Sequence, residues 1–247
     1  MRTEILYEDN SILVIRKPSE LAVQSARIGQ ADVVSELKSH LAKLPDTGRL
    51  GAGKEPYLGI VHRLDQPVEG VLVFAKEKKA AAALTRQLSA GILNKQYYAV
   101  LCGYPDASEG ELVDYLRKEG NVAVAVTGRE KNFPDAKIAK LHYRILEKME
   151  QPMLLSLADI YIETGRFHQI RVQFAHAGWP LLGDTKYGNA TAGVTVGNES
   201  YRGVALCAYF LGFCHPISGK KMSFRVKPQN PAFSLFPMEQ FGEDRKI

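Results

Sequence analysis

The chain has 247 residues, 45% of them hydrophobic and 24% charged, with a formal net charge of +5. That balance suits one large core or two small ones, and it excludes a disordered or disulfide-stapled chain. No apolar stretch approaches the roughly 20 residues that cross a bilayer, and Met1-Arg2-Thr3-Glu4 opens no secretory leader, so a cytoplasmic protein is predicted. Cys102, Cys207 and Cys214 are odd in number and lack a Cys-x-x-Cys pair, which argues against a disulfide framework and a zinc site.

In chain order, Ile5 to Tyr7 and Ile12 to Ile15 flank a turn-favouring Asp-Asn centre and predict a β-hairpin, with Lys17 emerging at its end before Pro18. Asp32 is placed to cap a helix over Val33 to Leu44, whose Val34, Leu37, Leu41 and Leu44 share one face, and Pro45 stops it. Gly48 to Lys54 has the spacing of a phosphate-binding loop. Glu55 stands where a magnesium-holding hydroxyl belongs, however, and a helix precedes the loop where a strand is required, so an ATPase is rejected.

Tyr57 to Val61 and Val71 to Ala75 read as strands, and the Ala-rich Glu77 to Ala90 as a helix stopped by Gly91. Lys95 to Leu101 is an aromatic and β-branched strand. Strands are predicted around Val122 to Val126, Ala136 to Leu146 and Met153 to Ile162. A helix follows from Arg166 to His176, with Phe167, Ile170 and Phe174 on its apolar face. Asn189 to Gly203 reads as an exposed insertion, Val204 to Cys214 and Met222 to Val226 as a last hairpin, and the stretch after Pro228 as a tail. No repeat or linker divides residues 1–247, which predicts one catalytic domain of α+β class on a mixed, mostly antiparallel sheet.

Chemistry-bearing residues concentrate at His62-Arg63-Leu64-Asp65, on a tight connection between two apolar strands, where rigid scaffolds place reactive groups. Between Lys76 and Lys95 there are five basic residues (Lys76, Lys78, Lys79, Arg86 and Lys95) against one acid, Glu77, a face suited to a polyanion.

Lys17-Pro18, His62-Arg63-Leu64-Asp65, Lys95-x-Tyr97-x-Ala99, Thr164-Gly165-Arg166-x-His168-Gln169-Ile170-Arg171 and Gly183-Asp184-x-x-Tyr187-Gly188, in this order, resemble the RluA-type pseudouridine synthases. His215-Pro216 in the closing hairpin is similar too, so the resemblance covers almost the whole chain. It implies an enzyme that isomerises uridine in ribosomal or transfer RNA on a mixed sheet with a central cleft, as a monomer, with no cofactor, metal or membrane. It also implies that Asp65 is the catalytic aspartate, Arg171 its arginine partner, Tyr97 the tyrosine that stacks on the base, and Arg63 the arginine that fills the RNA stack. His62, Lys17, Arg166, His168, Lys78, Lys79, Arg86 and Lys95 complete the expected RNA contacts.

The residue types fit the reaction. Moving the base from a nitrogen link to a carbon link on one sugar needs a single ionised carboxylate, as nucleophile or as base, and an arginine to keep that carboxylate ionised in a closed cleft. Val68-Glu69 departs from the Thr-Ser usual in the family, Gln173 stands where a His is frequent, and Cys207 where a His is common. Two competing readings are an RNA-binding protein of the same fold without catalysis, and a glycoside hydrolase using Asp65 and Glu69 as a carboxylate pair. The basic helix and the single Trp disfavour the hydrolase.

Overall fold

The computed structural model describes residues 1–25, 27, 29–43, 55–151, 153–188, 195–196, 199–200 and 203–241. Leu44, the loop over 48–54 and most of the expected insertion over 189–203 lie outside the described residues. The chain divides into two compact units, Met1–Asn94 with Ala208–Val226, and Lys95–Cys207 with Lys227–Ile247. In chain order the elements are β1 (Glu4–Glu8), β2 (Ile12–Lys17), α1 (Val33–Leu41), β3 (Gly59–Ile60), β4 (Glu69–Ala75), α2 (Lys78–Ser89), β5 (Asn94–Cys102), β6 (Glu109–Glu119), β7 (Val122–Val126), β8 (Lys137–Met149), β9 (Leu155–Ile162), α3 (Gln169–His176), the two-residue strands β10 (Thr195–Val196) and β11 (Glu199–Ser200), β12 (Leu206–Cys214) and β13 (Lys221–Arg225).

In the first unit β1, β2 and β4 pair antiparallel, with Ile15 opposite Leu72 and Lys17 opposite Gly70. The opening turn is built by Asp9, whose Oδ1 accepts the backbone N–H groups of Ser11 and Ile12 at 2.7 and 2.8 Å, the local bonding that makes Asp a turn residue. Every residue of β4 is buried, which is why it reads as a continuous apolar run and not as an alternating one. Gly70 is required there: its φ is +132°, and a Cβ would meet the Ala208 carbonyl oxygen at 2.4 Å. Ala80 and Leu84 of α2 pack on Val71, Val73, Leu211 and Phe213, leaving the basic side of that helix outward. Asp32 caps α1 as expected, its Oδ1 accepting the Ser35 N–H at 2.7 Å.

In the second unit the strands run β5, β9, β8, β6, β7, with Tyr97 opposite Ile160, His142 opposite Tyr161 and Tyr115 opposite both Ile138 and Val126. The α+β class and the predominance of antiparallel pairing are as predicted. Strand β6 is absent from the sequence reading because its charges interrupt every apolar pair, and it is half-exposed along most of its length. Val172 packs α3 on Leu116, Ala123 and Ala139. Gln173 Nε2 fastens the helix by donating to the Leu112 and Ala139 carbonyls and to Asp114 Oδ2 at 3.1, 3.2 and 2.9 Å.

Two further expectations change. The helix begins at Gln169, not Arg166, and Phe167 lies before it, 40% exposed, so of the three residues expected on its apolar face Ile170 and Phe174 are buried and Phe167 is not. The stretch after Pro228 is not a loose tail as far as Phe241. Asn230 caps a short 3-10 turn, Phe233 and Phe236 are buried, and the Tyr98 hydroxyl donates to the Phe241 carbonyl at 2.9 Å.

Candidate active site

In the first unit, Asp65 opens a turn closed by Val68 N–H donating to its carbonyl at 3.0 Å. The turn is held from within by Lys17, which is 0% exposed. Its ammonium donates to the carbonyls of Gln66, Leu21 and Pro18 at 2.9, 2.7 and 2.9 Å, so all three of its hydrogens are used and one of them grips the residue after Asp65. Burial pulls the Lys17 pKa down to about 7, against the opposing pull of Glu20, Asp65 and Glu69. His62 is turned inward as well, its Nε2 accepting the Val73 N–H at 3.3 Å, which leaves the ring proton on Nδ1. Arg63, between them, is exposed.

In the second unit, Arg171 on α3 and Asp184 in the loop after Gly183 are both buried and paired in bidentate fashion, Nε to Oδ2 at 2.8 Å and Nη2 to Oδ1 at 2.7 Å. Asp184 Oδ1 also accepts the N–H groups of Lys186 and Tyr187 at 3.0 and 3.2 Å, so the loop and the guanidinium hold one another. The Arg171 guanidinium lies 5.1 Å from the centre of the Tyr187 ring. The Tyr187 hydroxyl accepts from Ala123 N–H at 2.8 Å and shares a hydrogen bond with His168 Nδ1 at 2.6 Å.

His168 takes a left-handed conformation, φ +53°, rare for a non-glycine residue. Its pKa falls to about 4 through burial first and then through Arg171 and Lys186. The turn before it is locked by Gln169, whose Oε1 accepts from the Thr164 hydroxyl at 2.8 Å and the Arg166 N–H at 3.0 Å. Tyr97, on β5, is buried.

The family model described as RNA pseudouridylate synthase matches residues 11–176, a span that includes Lys17, the Asp65 turn, Tyr97 and Arg171 and ends with α3. The ribosomal large subunit pseudouridine synthase D of Zymomonas mobilis is 34% identical over 243 residues, covering 95% of this chain and 72% of that protein. The chain belongs to the RNA pseudouridylate synthase family. A second such synthase D, from Pasteurella multocida, is 34% identical over 90% of this chain and 66% of its own length. Among solved structures, human RNA pseudouridylate synthase domain containing 4 superposes with a TM-score of 0.71 over 94% of this chain and 91% of that one, at 23% identity, a likeness of fold.

Within this pseudouridine synthase the remaining expected RNA contacts divide. Lys78, Lys79 and Arg86 are exposed on α2, Lys79 with Glu77 at 3.6 Å. Arg166 is exposed and donates from Nε to the Ile138 carbonyl at 2.8 Å. Lys17 is corrected from RNA contact to internal brace, because an ammonium enclosed by three carbonyls has no hydrogen left for a phosphate. Lys76 leaves the basic face too, since its ammonium donates to Glu8 at 2.6 Å and to the Asp9 carbonyl at 2.7 Å.

Asp184 and Tyr187 stand in a sequence motif that gives them no task; their value as a clamp on Arg171 depends on a contact across 13 residues. Glu69, one of the two departures from the usual Thr-Ser, is 2% exposed at the start of β4. Glu111, His142 and Glu163 bring ligand atoms within 4.8 Å of one another. The Lys140 ammonium already bridges the two carboxylates at 2.9 and 3.3 Å, which makes the group a surface ion-pair cluster and a poor metal centre.

Proposed function

We propose that this enzyme isomerises a uridine of large-subunit ribosomal RNA, with Asp65 as the single catalytic carboxylate and the two units acting as one catalytic domain. The observation that carries the reading is that the Asp65 turn and Arg171 are each held by a dedicated buried ionic or hydrogen-bonded brace, Lys17 for one and Asp184 for the other. Side chains held in this way suit a reaction that needs one carboxylate and one fixed positive charge and no change of composition. The large-subunit substrate is supported by the names of relatives 34% identical over most of the chain.

Asp65 acts at the sugar, either on the anomeric carbon or on the neighbouring proton. Arg171 supplies the positive charge that favours the ionised carboxylate, Tyr97 offers its ring to the base, and the exposed Arg63 replaces the base in the RNA stack. Exposed Lys78, Lys79 and Arg86 meet phosphates. The setting proposed is the cytoplasm, where a ribosomal substrate is met, with the protein as a monomer; among the described residues no helix is long and apolar enough to cross a membrane.

The test is pseudouridine mapping on ribosomal RNA from cells with and without this chain, followed by assay of Asp65→Asn on the mapped fragment. Retained RNA binding with no pseudouridine is expected. Substantial turnover by Asp65→Asn would reassign the chemistry, and an unchanged ribosomal map would redirect the substrate to transfer RNA.

A further inference from the structure

Lys95 stands at the head of β5, two residues before Tyr97 and therefore on the same face of the strand. It is partly buried, and no hydrogen bond or ion pair engages its ammonium among the described residues. The acid of the turn that holds Gly165, Glu163, is committed to Lys140 and His142. The Lys95 ammonium instead lies against Gly165, where a Cβ would come to 3.4 Å from Nζ. Desolvation pulls its pKa below the ordinary lysine range. A desolvated cation without a protein counter-charge is costly in the resting enzyme, and the cost is recovered only when an anion arrives beside it.

Two anions of the substrate could play that part. A backbone phosphate is charged throughout and strongly hydrated, and a lysine in full solvent serves it as well. The base is different: uridine is neutral until the bond from N1 to C1′ breaks with its electron pair left on the ring. The resulting uracil anion persists while the ring turns. It ends when C5 bonds to C1′, the C5 proton is lost and N1 regains a proton, with no net change in atoms or electrons. A donor kept out of water stabilises such transient charge far better than a hydrated one and wastes nothing on the ground state.

Resting on the assignment of Tyr97 to the target base, we infer that Lys95 is a catalytic residue whose ammonium donates a hydrogen bond to a carbonyl oxygen of the detached uracil anion. Gly165 is the residue that leaves room for it. The ammonium stays protonated throughout, so no proton transfer is required of it.

The test is single-turnover pseudouridine formation, with equilibrium RNA binding at several salt concentrations, for the full chain, Lys95→Met and Lys95→Arg. Lys95→Met should lower the saturated rate by about 100-fold, the usual effect of removing one preorganised donor, while the dissociation constant and its salt slope stay within about threefold of the parent. Lys95→Arg, which keeps the charge, should recover part of the rate, a result that a merely structural lysine would not give once thermal melting shows both variants folded. Weakened binding with a flatter salt slope and an unchanged saturated rate would make Lys95 a phosphate ligand and overturn the inference. So would an unchanged rate with unchanged binding. Failure of the parent chain to form pseudouridine on any ribosomal or transfer RNA would instead remove the function on which the inference rests.

Discussion

Lys17 and Lys95 belong to similar settings, each at an end of a strand, each in a motif of the family and each with a pKa depressed by burial, yet their surroundings are opposite. Three carbonyls surround the ammonium of Lys17 and spend all its hydrogens inside the first unit. No partner among the described residues engages the ammonium of Lys95 in the second. A buried cation whose donors are all used holds structure; one partly withdrawn from water and without an acceptor is placed to serve substrate. Arg171 is likewise braced from within the fold: Asp184 takes its Nε and one Nη2 hydrogen, which fixes the plane of the guanidinium.

The contrast is broken most severely at Asp184. Asp184→Asn leaves a buried guanidinium without its anion and should cost about 3–5 kcal/mol of stability, measured by denaturant unfolding; a loss under 1 kcal/mol would show that the pair does not hold the loop. Lys17→Met comes next. Leaving three carbonyls without their donor should cost about 3 kcal/mol and loosen the Asp65 turn, whereas Lys95→Met, with no bond to lose and a desolvation cost removed, should leave stability unchanged or raise it. Equal losses in the two lysine variants would erase the distinction.

Acidity sharpens the same contrast. The Lys17 pKa is lowered from 10.5 in the unfolded chain to about 7 in the fold. Above pH 7 the unfolded chain therefore binds more protons than the native one, and stability from this group rises with pH. The gap between the parent chain and Lys17→Met should widen by up to about 1.4 kcal/mol per pH unit from 7 toward 10, and a flat gap would mean that the ammonium stays charged. For His168, lowered from 6.5 to about 4, the unfolded chain binds the extra proton between those values, so stability is lost as pH falls through them. Imidazole NMR should find His168 neutral at pH 5.5. The smallest effect is on α2: replacing Lys78, Lys79 and Arg86 together should leave stability within about 0.5 kcal/mol and lower the slope of log affinity against log salt by up to about 2–3.

Legibility followed range. The Asp9 turn, the Asp32 cap of α1, the Ala-rich α2 and the apolar β4 were readable because each is set by hydrogen bonds or apolar periodicity within a few residues. Strand β6 was missed because its pairing with β7 and β8, and not its own pattern, makes it a strand. The start of α3 was misplaced because Gln169 reaches back to Thr164 and Arg166, a cap built by a side chain that ranks as an ordinary helix former.

The sequence by itself determined the family, the order of its motifs and the residue types the chemistry needs, since those are properties of identity and spacing along the chain. Only the tertiary structure decided that Lys17 is enclosed, that Glu69 is buried, that Asp184 clamps Arg171 and that Lys95 lacks a protein partner among the described residues. Partner choice and desolvation depend on atoms brought together from distant positions. A lysine carries the same letter whether its three hydrogens are already bonded or still await an anion.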